Sequence, residues 1–298
     1  MPVPLRHVLS QGPVLAAFGR AALSGLRSKP GASSGTPAAP GPWIEAELPP
    51  RPDALVRDYV RHVGGDPASY RGRLPAHLFP QWGSPLAARA LAALPYPLTR
   101  VMNAGCRIEQ RAALPSGERL VVRARIETID QDERRALVTQ RIVTGTRRDP
   151  DAVVADLVVY VPLGPRDDDR SGARERASVP GSAHELAFLR IGTSAGLDFA
   201  KLTGDFNPIH WLAPYARAAA FRACILHGFA TLARAIEALN RARFAGDTSR
   251  LVVVDARFTR PLVLPARVGV YVEGKSFWVG DAPGGAAVLA GHFEEGRS

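Results

Sequence analysis

Cysteine, lysine and long apolar runs are scarce in this chain of 298 residues, and each absence excludes a class of protein. The two cysteines, Cys106 and Cys224, are too few for a disulfide framework or a cysteine metal cluster. A reducing compartment is therefore expected, and we predict a cytoplasmic protein. No uncharged apolar run reaches about 18 residues, which argues against a membrane-spanning helix. With 46% apolar residues, the chain has room for about two globular domains.

Arginine supplies almost all of the positive charge. Only three lysines accompany 35 arginines, and the formal net charge is +10. This balance favours an anionic partner, because a guanidinium group can donate two hydrogen bonds at once to a phosphate. Nucleic acid is not expected, since aromatic residues make up only 7% of the chain and do not interleave with a basic run.

Composition also divides the chain into segments. The first 44 residues contain no acidic residue and end in a stretch rich in proline, glycine and serine. We interpret residues 1–42 as a basic arm and linker, which docks on the protein or makes a weak contact with a membrane surface. An organellar transit peptide has a similar composition. A second stretch, rich in charge and poor in large apolar residues, predicts a linker over residues 165–184 and leaves two units, 43–164 and 185–298.

These two units carry similar sequences. Cys106–Pro115 aligns with Ala256–Pro265 at a constant offset of 150 residues, with three identities. The Ala/Leu-rich stretch Ala87–Leu94 likewise parallels Leu232–Leu239. Such self-similarity indicates a duplicated supersecondary unit. We therefore interpret the chain as two repeats.

Each repeat offers one apolar helix followed by strands. In the second repeat the helix Phe229–Leu239 carries only Arg234 and Glu237 as charges, and so narrow a polar face predicts enclosure on most sides. In the first repeat, Ser84 and Pro85 form a favourable helix start. Strands are predicted in the second repeat near Leu251–Phe258, Val268–Glu273 and Ala286–Phe293.

These elements predict an α+β fold. A curved antiparallel sheet wrapped around a central helix would enclose that helix in each repeat. Two such units side by side could pair their sheets edge to edge, which would remove an exposed edge that invites aggregation.

A polar motif occurs in the second repeat only. It reads Gly-Asp-Phe-Asn-Pro-Ile-His, from Gly204 to His210. Gly204 permits a tight turn, and the proline after Asn207 keeps that residue out of helical geometry. Asp205 and His210 are thereby held on a short, constrained stretch. A carboxylate and an imidazole brought together can hold one water molecule and move its proton.

His227 and Gly228 follow at the start of the apolar helix. Because Gly228 has no Cβ, its N–H can approach a carbonyl oxygen and stabilise negative charge there. Such a site is equipped to add water across a double bond conjugated to a thioester carbonyl, or to catalyse the reverse elimination. We interpret His227 as a helix-start residue with a satisfied ring. Taken alone, Asp205 could simply cap the short helix after Pro208.

The motif resembles the signature of the MaoC-like hydratase/dehydratase family, the (R)-specific enoyl-CoA hydratases. That resemblance implies the hotdog fold, commonly with two units in one chain and the second unit active. It also implies that Asp205 and His210 are the catalytic pair and that Gly228 is the oxyanion donor. Three further residues would support them: Asn207, Gly204 and His227. The first repeat has Asp66 but neither the Asn-Pro nor the histidine, so it is expected to be catalytically silent.

By the same resemblance the reaction is reversible hydration of trans-2-enoyl thioesters to (R)-3-hydroxyacyl thioesters. The carrier is coenzyme A or acyl carrier protein, no cofactor or metal is implied, and the protein would act as a monomer or homodimer. A hotdog acyl thioesterase and a non-catalytic subunit that binds acyl thioesters remain open alternatives. His62, His77 and His184 have no visible partners in the sequence and are interpreted as structural or exposed.

Overall fold

The computed structural model describes residues 3–9, 11–12, 37–96, 101–164 and 177–296. Most of the arm and linker predicted over residues 1–42, and most of the linker predicted over 165–184, lie outside these ranges. Among the described helices, none has the length and apolar character needed to cross a membrane.

The two repeats contain similar successions of helices and strands, with 3-10 helices labelled η. A short helix, α1 (Arg6–Leu9), precedes them. The first repeat comprises β1 (Ile44–Leu48), α2 (Asp53–His62), η1 (Pro67–Tyr70), η2 (Ala76–Leu78), α3 (Pro80–Ala92), β2 (Met102–Gln110), β3 (Leu120–Gln131), β4 (Arg135–Gly145) and β5 (Val153–Pro162). The second comprises β6 (His184–Ile191), α4 (Ala195–Thr203), η3 (Pro208–His210), α5 (Ala213–Ala218), β7 (Ile225–Leu226), α6 (Gly228–Ala242), β8 (Leu251–Phe258), β9 (Leu262–Val263), β10 (Ala266–Glu273), β11 (Ser276–Gly280) and β12 (Ala287–Glu295).

Ten strands form one antiparallel sheet across both repeats, in the order β1-β3-β4-β5-β2-β8-β12-β11-β10-β6. The junction is the pair β2 and β8, in which Cys106 faces Ala256 and Arg107 faces Asp255. Cys106 and Ala256 are also equivalent in the sequence alignment, so a local twofold axis passes between them. The predicted edge-to-edge pairing of two sheets is confirmed.

The helix α6 is the central helix of the second repeat. It packs on β6, β8, β11 and β12, and 12 of its 15 residues are buried. The buried residues include both of its predicted surface charges, Arg234 and Glu237. The predicted enclosure is therefore confirmed and is more complete than the sequence indicated. In the first repeat α3 packs on β1, β3 and β4, where alternate residues of β3 and β4 turn inward.

The predicted start of α3 at Ser84 and Pro85 is wrong. The helix begins at Pro80 and contains Pro85. Trp82 is buried in the core, and a Cβ on Gly83 would lie 3.0 Å from the side chain of Ile142. Packing against the sheet therefore extends the helix beyond its best local start signal, since tertiary contacts override local propensity.

Candidate active site

The loop after α4 has the order of elements that the motif predicts: a turn, a carboxylate and a short helix. Gly204 has a φ of +83° and donates its N–H to the carbonyl oxygen of Ala200. The Oδ1 of Asp205 accepts the N–H of Asn207 at 3.3 Å. Asn207 itself caps η3, because its Oδ1 accepts the N–H of Ile209. The interpretation of Asp205 as the helix cap is therefore wrong.

His210 ends η3 with its side chain buried. Its Nδ1 lies 2.8 Å from the carbonyl oxygen of Ile225. A carbonyl can only accept, so Nδ1 carries the proton and Nε2 of the neutral ring keeps its lone pair. Burial lowers the pKa of His210, while the Asp205 carboxylate opposes this shift. At neutral pH the ring is therefore an uncharged base.

His227 links these two residues. Its Nε2 lies 3.0 Å from the main-chain oxygen of Asp205, and its ring stacks on that of His210 with centroids 3.6 Å apart. Burial, followed by the neighbouring His210, lowers the pKa of His227 to about 3. Its Nδ1 is buried and has no hydrogen-bond partner in the part of the chain that the structure describes. The expectation of a satisfied ring is wrong for that nitrogen.

Asp205, His210 and His227 converge on one small space. One side-chain ligand atom from each residue lies within 4.8 Å of the other two. The histidines are buried, whereas the side chain of Asp205 is 32% exposed, so the space is reached from the carboxylate side. Groups at this separation can share a water molecule, since each hydrogen bond to it spans about 2.8 Å.

The same spacing suits a metal ion, and the donor set decides between these readings. Two imidazoles and one carboxylate are ligands that zinc accepts. However, the Nε2 of His227 already donates to the Asp205 carbonyl, and the Nδ1 of His210 donates to the Ile225 carbonyl. A metal ion bound to the Nε2 of His227 would have to replace the proton that this nitrogen donates. A water molecule at the Nε2 of His210 displaces neither of the two hydrogen bonds.

Gly228 follows His227 as the first residue of α6. A Cβ at this position would lie 3.0 Å from the ring of Phe258, so only glycine fits without displacing the ring. The first N–H groups of a helix have no partner within the helix and lie at its positive end. Gly228 therefore presents a donor next to the two stacked histidines.

A second polar cluster, which the sequence pattern did not predict, lies between the repeats. The hydroxyl of Tyr70 donates to Glu237 Oε1 at 2.6 Å, and His77 Nε2 lies 3.1 Å from the same oxygen. Tyr59 donates its hydroxyl to the carbonyl oxygen of His77. These four side chains are all buried. His77 is therefore structural, in agreement with its interpretation as structural or exposed, and the charge of Glu237 on an apolar helix was the signal for its partner.

His62 is also partnered. Arg234 donates through Nη2 to the main-chain oxygen and Nε2 of His62, each at 3.1 Å, and through Nη1 to the carbonyl oxygen of Ala230. Burial lowers the pKa of Arg234 to about 10, and burial together with Arg234 lowers that of His62 to about 3. His184 is exposed, as expected. The pairs His77–Glu237 and His62–Arg234 thus both connect the first repeat to α6.

Comparison with known proteins agrees with the fold and the motif. The family model of the MaoC like domain matches residues 191–282. The 3-hydroxyacyl-thioester dehydratase X of Mycobacterium tuberculosis is 41% identical over 93 residues, which are 31% of this chain and 31% of that protein. The sequence match thus spans about a third of this relative's length.

Solved structures extend the likeness to nearly the whole chain. The crystal structure of HtdX from Mycobacterium tuberculosis, 21% identical, aligns over 85% of this chain and all of that one with a TM-score of 0.68. Another Mycobacterium tuberculosis protein, described as a double hotdog, is 15% identical and aligns over 87% of this chain and 96% of its own with a TM-score of 0.53. The chain therefore has the double hotdog fold, and its residues 191–282 match the model of the MaoC like domain.

Proposed function

We propose that this protein reversibly hydrates trans-2-enoyl thioesters to (R)-3-hydroxyacyl thioesters. The convergence of the Asp205 carboxylate and the neutral His210 ring beside the N-terminus of α6 carries the proposal. The name of the relative, a 3-hydroxyacyl-thioester dehydratase, supports the same reaction in the reverse direction.

In the proposed mechanism one water molecule lies between Asp205 and His210. Asp205 orients the water, and the Nε2 of His210 accepts a proton from it as the oxygen bonds to the β-carbon of the substrate. The electrons of the double bond move onto the thioester oxygen, where the N–H of Gly228 stabilises the negative charge. His210 then returns the proton to the α-carbon, which restores the thioester carbonyl and the neutral ring.

The supporting residues keep this arrangement in place. Gly204 and Asn207 shape the loop on which Asp205 lies, through the turn after α4 and the cap of η3. His227 holds the main chain of Asp205 and the ring face of His210. Preorganised groups of this kind cost no reorganisation when charge develops in the transition state.

Coenzyme A and acyl carrier protein are both anionic, and a net charge of +10 suits either. Because one chain supplies two hotdog units, we propose that it acts as a monomer or a homodimer. The two unpaired cysteines favour the cytoplasm. A weak contact of the N-terminal arm with a membrane surface is compatible with the exposed side chains of Leu5 and Leu9.

The test is a steady-state assay over trans-2-enoyl thioesters of increasing chain length, on coenzyme A and on acyl carrier protein. We expect loss of enoyl absorbance without release of free thiol, and chiral analysis should identify the (R)-3-hydroxyacyl product. Release of thiol would instead indicate a thioesterase. Tight binding without turnover at every chain length would indicate a binding subunit, and either result would contradict the proposal.

A further inference from the structure

The described part of the N-terminal arm, residues 3–9 and 11–12, docks on the body of the protein. Three of its side chains are almost fully buried, with exposed fractions of 7% for Val3, 3% for His7 and 0% for Gln11. Leu5 and Leu9 face outward and are 73% and 87% exposed. The arm therefore has a defined inner face, and that face lies on the helices α2 and α4.

Gln11 makes the most specific contacts of this inner face. Its Nε2 donates to the carbonyl oxygens of Lys201 and Leu202, at 3.2 and 2.9 Å. Its Oε1 accepts from the Nε2 of Gln81 at 3.1 Å. Lys201 and Leu202 lie in the last turn of α4, where carbonyl oxygens have no partner within the helix. One buried amide thus caps α4 and connects it to α3 of the first repeat.

The rest of the arm holds the same helix. The N–H of Val3 donates to Asp198 Oδ1 at 3.3 Å, and the Nζ of Lys201 donates to the carbonyl oxygen of Val3 at 3.1 Å. Lys201 also pairs with Asp198 at 2.9 Å. On α2, His7 contacts Asp58 at 2.8 Å. Residues 3–12 of the arm, as far as the structure describes them, are thus fixed at both ends, and the end at Gln11 contacts the part of α4 nearest to the motif.

This location matters because the side chain of Asp205 is weakly held. Its Oδ1 accepts one N–H, that of Asn207, at 3.3 Å, and its side chain is 32% exposed. Gly204 alone separates Asp205 from the last residue of α4, Thr203. The direction in which α4 ends therefore sets the position of the carboxylate relative to His210.

We propose that Gln11 is a positioning residue, which fixes the C-terminus of α4 and thereby the distance between Asp205 and His210. This inference rests on the proposed function, since it assigns Gln11 a role in the same reaction. The N-terminal arm thereby takes part in positioning Asp205, and removal of the arm would abolish this role.

The test compares Gln11→Met with the wild type in the full chain. Methionine matches the size of glutamine but cannot make the three hydrogen bonds. We expect kcat to fall about tenfold with little change in KM, since small displacements of catalytic groups cost one to two powers of ten. The acid limb of the pH profile of kcat/KM should also move to lower pH, because the Asp205 carboxylate raises the pKa of His210 and would lie farther away. Leu9→Ala, on the exposed side of the arm, is the matched control and should leave both parameters unchanged.

The outcomes separate this inference from the function on which it rests. If the wild type does not turn over any enoyl thioester, the proposed function fails. If the wild type is active and a folded Gln11→Met protein has the same kcat and pH profile, Gln11 has no positioning role. Should Gln11→Met not fold, Gln11→Asn keeps the amide on a stem shorter by one methylene. A loss of kcat of less than tenfold, with the acid limb of the pH profile again at lower pH, would support the inference. Wild-type kcat and a wild-type pH profile would overturn it.

Discussion

The two repeats place similar loops after equivalent helices, but they use the polar groups differently. In the first repeat Asp66 caps η1 through the N–H of Ala68, at 2.9 Å, and Tyr70 is bound to Glu237. In the second repeat Asp205 leaves most of its carboxylate free, and His210 keeps one ring nitrogen without a protein partner in the described structure. The second loop thus keeps a carboxylate oxygen and a ring nitrogen available, which the proposed reaction requires and the first loop does not offer.

The largest expected effect comes from removing the acid or the base of the second loop. Asp205→Asn and His210→Ala should each lower kcat by a factor of about 10²–10⁴, the usual contribution of a positioned proton-transfer group. Steady-state hydration of crotonyl-CoA measures this effect. Asp66→Asn is the matched control in the first repeat and should retain wild-type kcat, because asparagine also caps η1. Comparable losses at both positions would remove the distinction between the repeats.

The second-largest expected effect is a loss of free energy of unfolding and not a loss of kcat. Glu237→Ala should remove the buried acceptor that the hydroxyl of Tyr70 and the Nε2 of His77 share and leave these two groups, 3.0 Å apart, to bond to each other, at a cost of about 1–3 kcal/mol. Urea unfolding measures this loss, and Glu294→Ala, at an exposed position on β12, is the control. The kcat of the folded Glu237→Ala protein should stay close to the wild-type value. A selective loss of kcat without loss of stability would instead assign catalysis to this second polar cluster.

Acid should destabilise the second repeat through His227. Its pKa is about 3 in the folded chain against about 6.5 when unfolded, so below pH 6.5 protons bind preferentially to the unfolded state. The free energy of unfolding should therefore fall by about 1.4 kcal/mol per pH unit from this group, until pH approaches 3. Urea unfolding at pH values on either side of about 6 checks the slope. His227→Gln should reduce it, whereas His184→Gln, at an exposed site, should not.

The smallest expected effect is that of a chelator. If Asp205, His210 and His227 hold water rather than a metal ion, prolonged incubation with EDTA should leave kcat unchanged. The assay is the same hydration of crotonyl-CoA, before and after dialysis. Loss of activity that zinc restores would show that the three side chains act as ligands, and the proposed proton transfer would then need revision.

Much of the fold followed from local patterns. The strands predicted near Leu251–Phe258, Val268–Glu273 and Ala286–Phe293 correspond to β8, β10 and β12, and the apolar helix corresponds to α6. β6 and β11 were not predicted. β6 is an edge strand with little buried surface, so its sequence lacks a clear apolar alternation.

The motif was predictable for a similar reason, whereas the interface clusters were not. Asp205 and His210 lie in one short segment, and turn-forming residues restrict the chain between them. His62 and His77 instead meet Arg234 and Glu237, which lie 172 and 160 residues away. Such pairs arise only when the two repeats pack together, and no local pattern encodes them.

The strand junction at Cys106 and Ala256 has an evolutionary consequence. In a dimer of identical subunits, one substitution on the symmetry axis would appear twice and face itself. In a single chain with both copies, the two positions change independently, and here one is cysteine and the other alanine. The two loops can likewise differ within one chain: Tyr70 of the first repeat is bound to Glu237, whereas the side chain of Asp205 in the second stays 32% exposed.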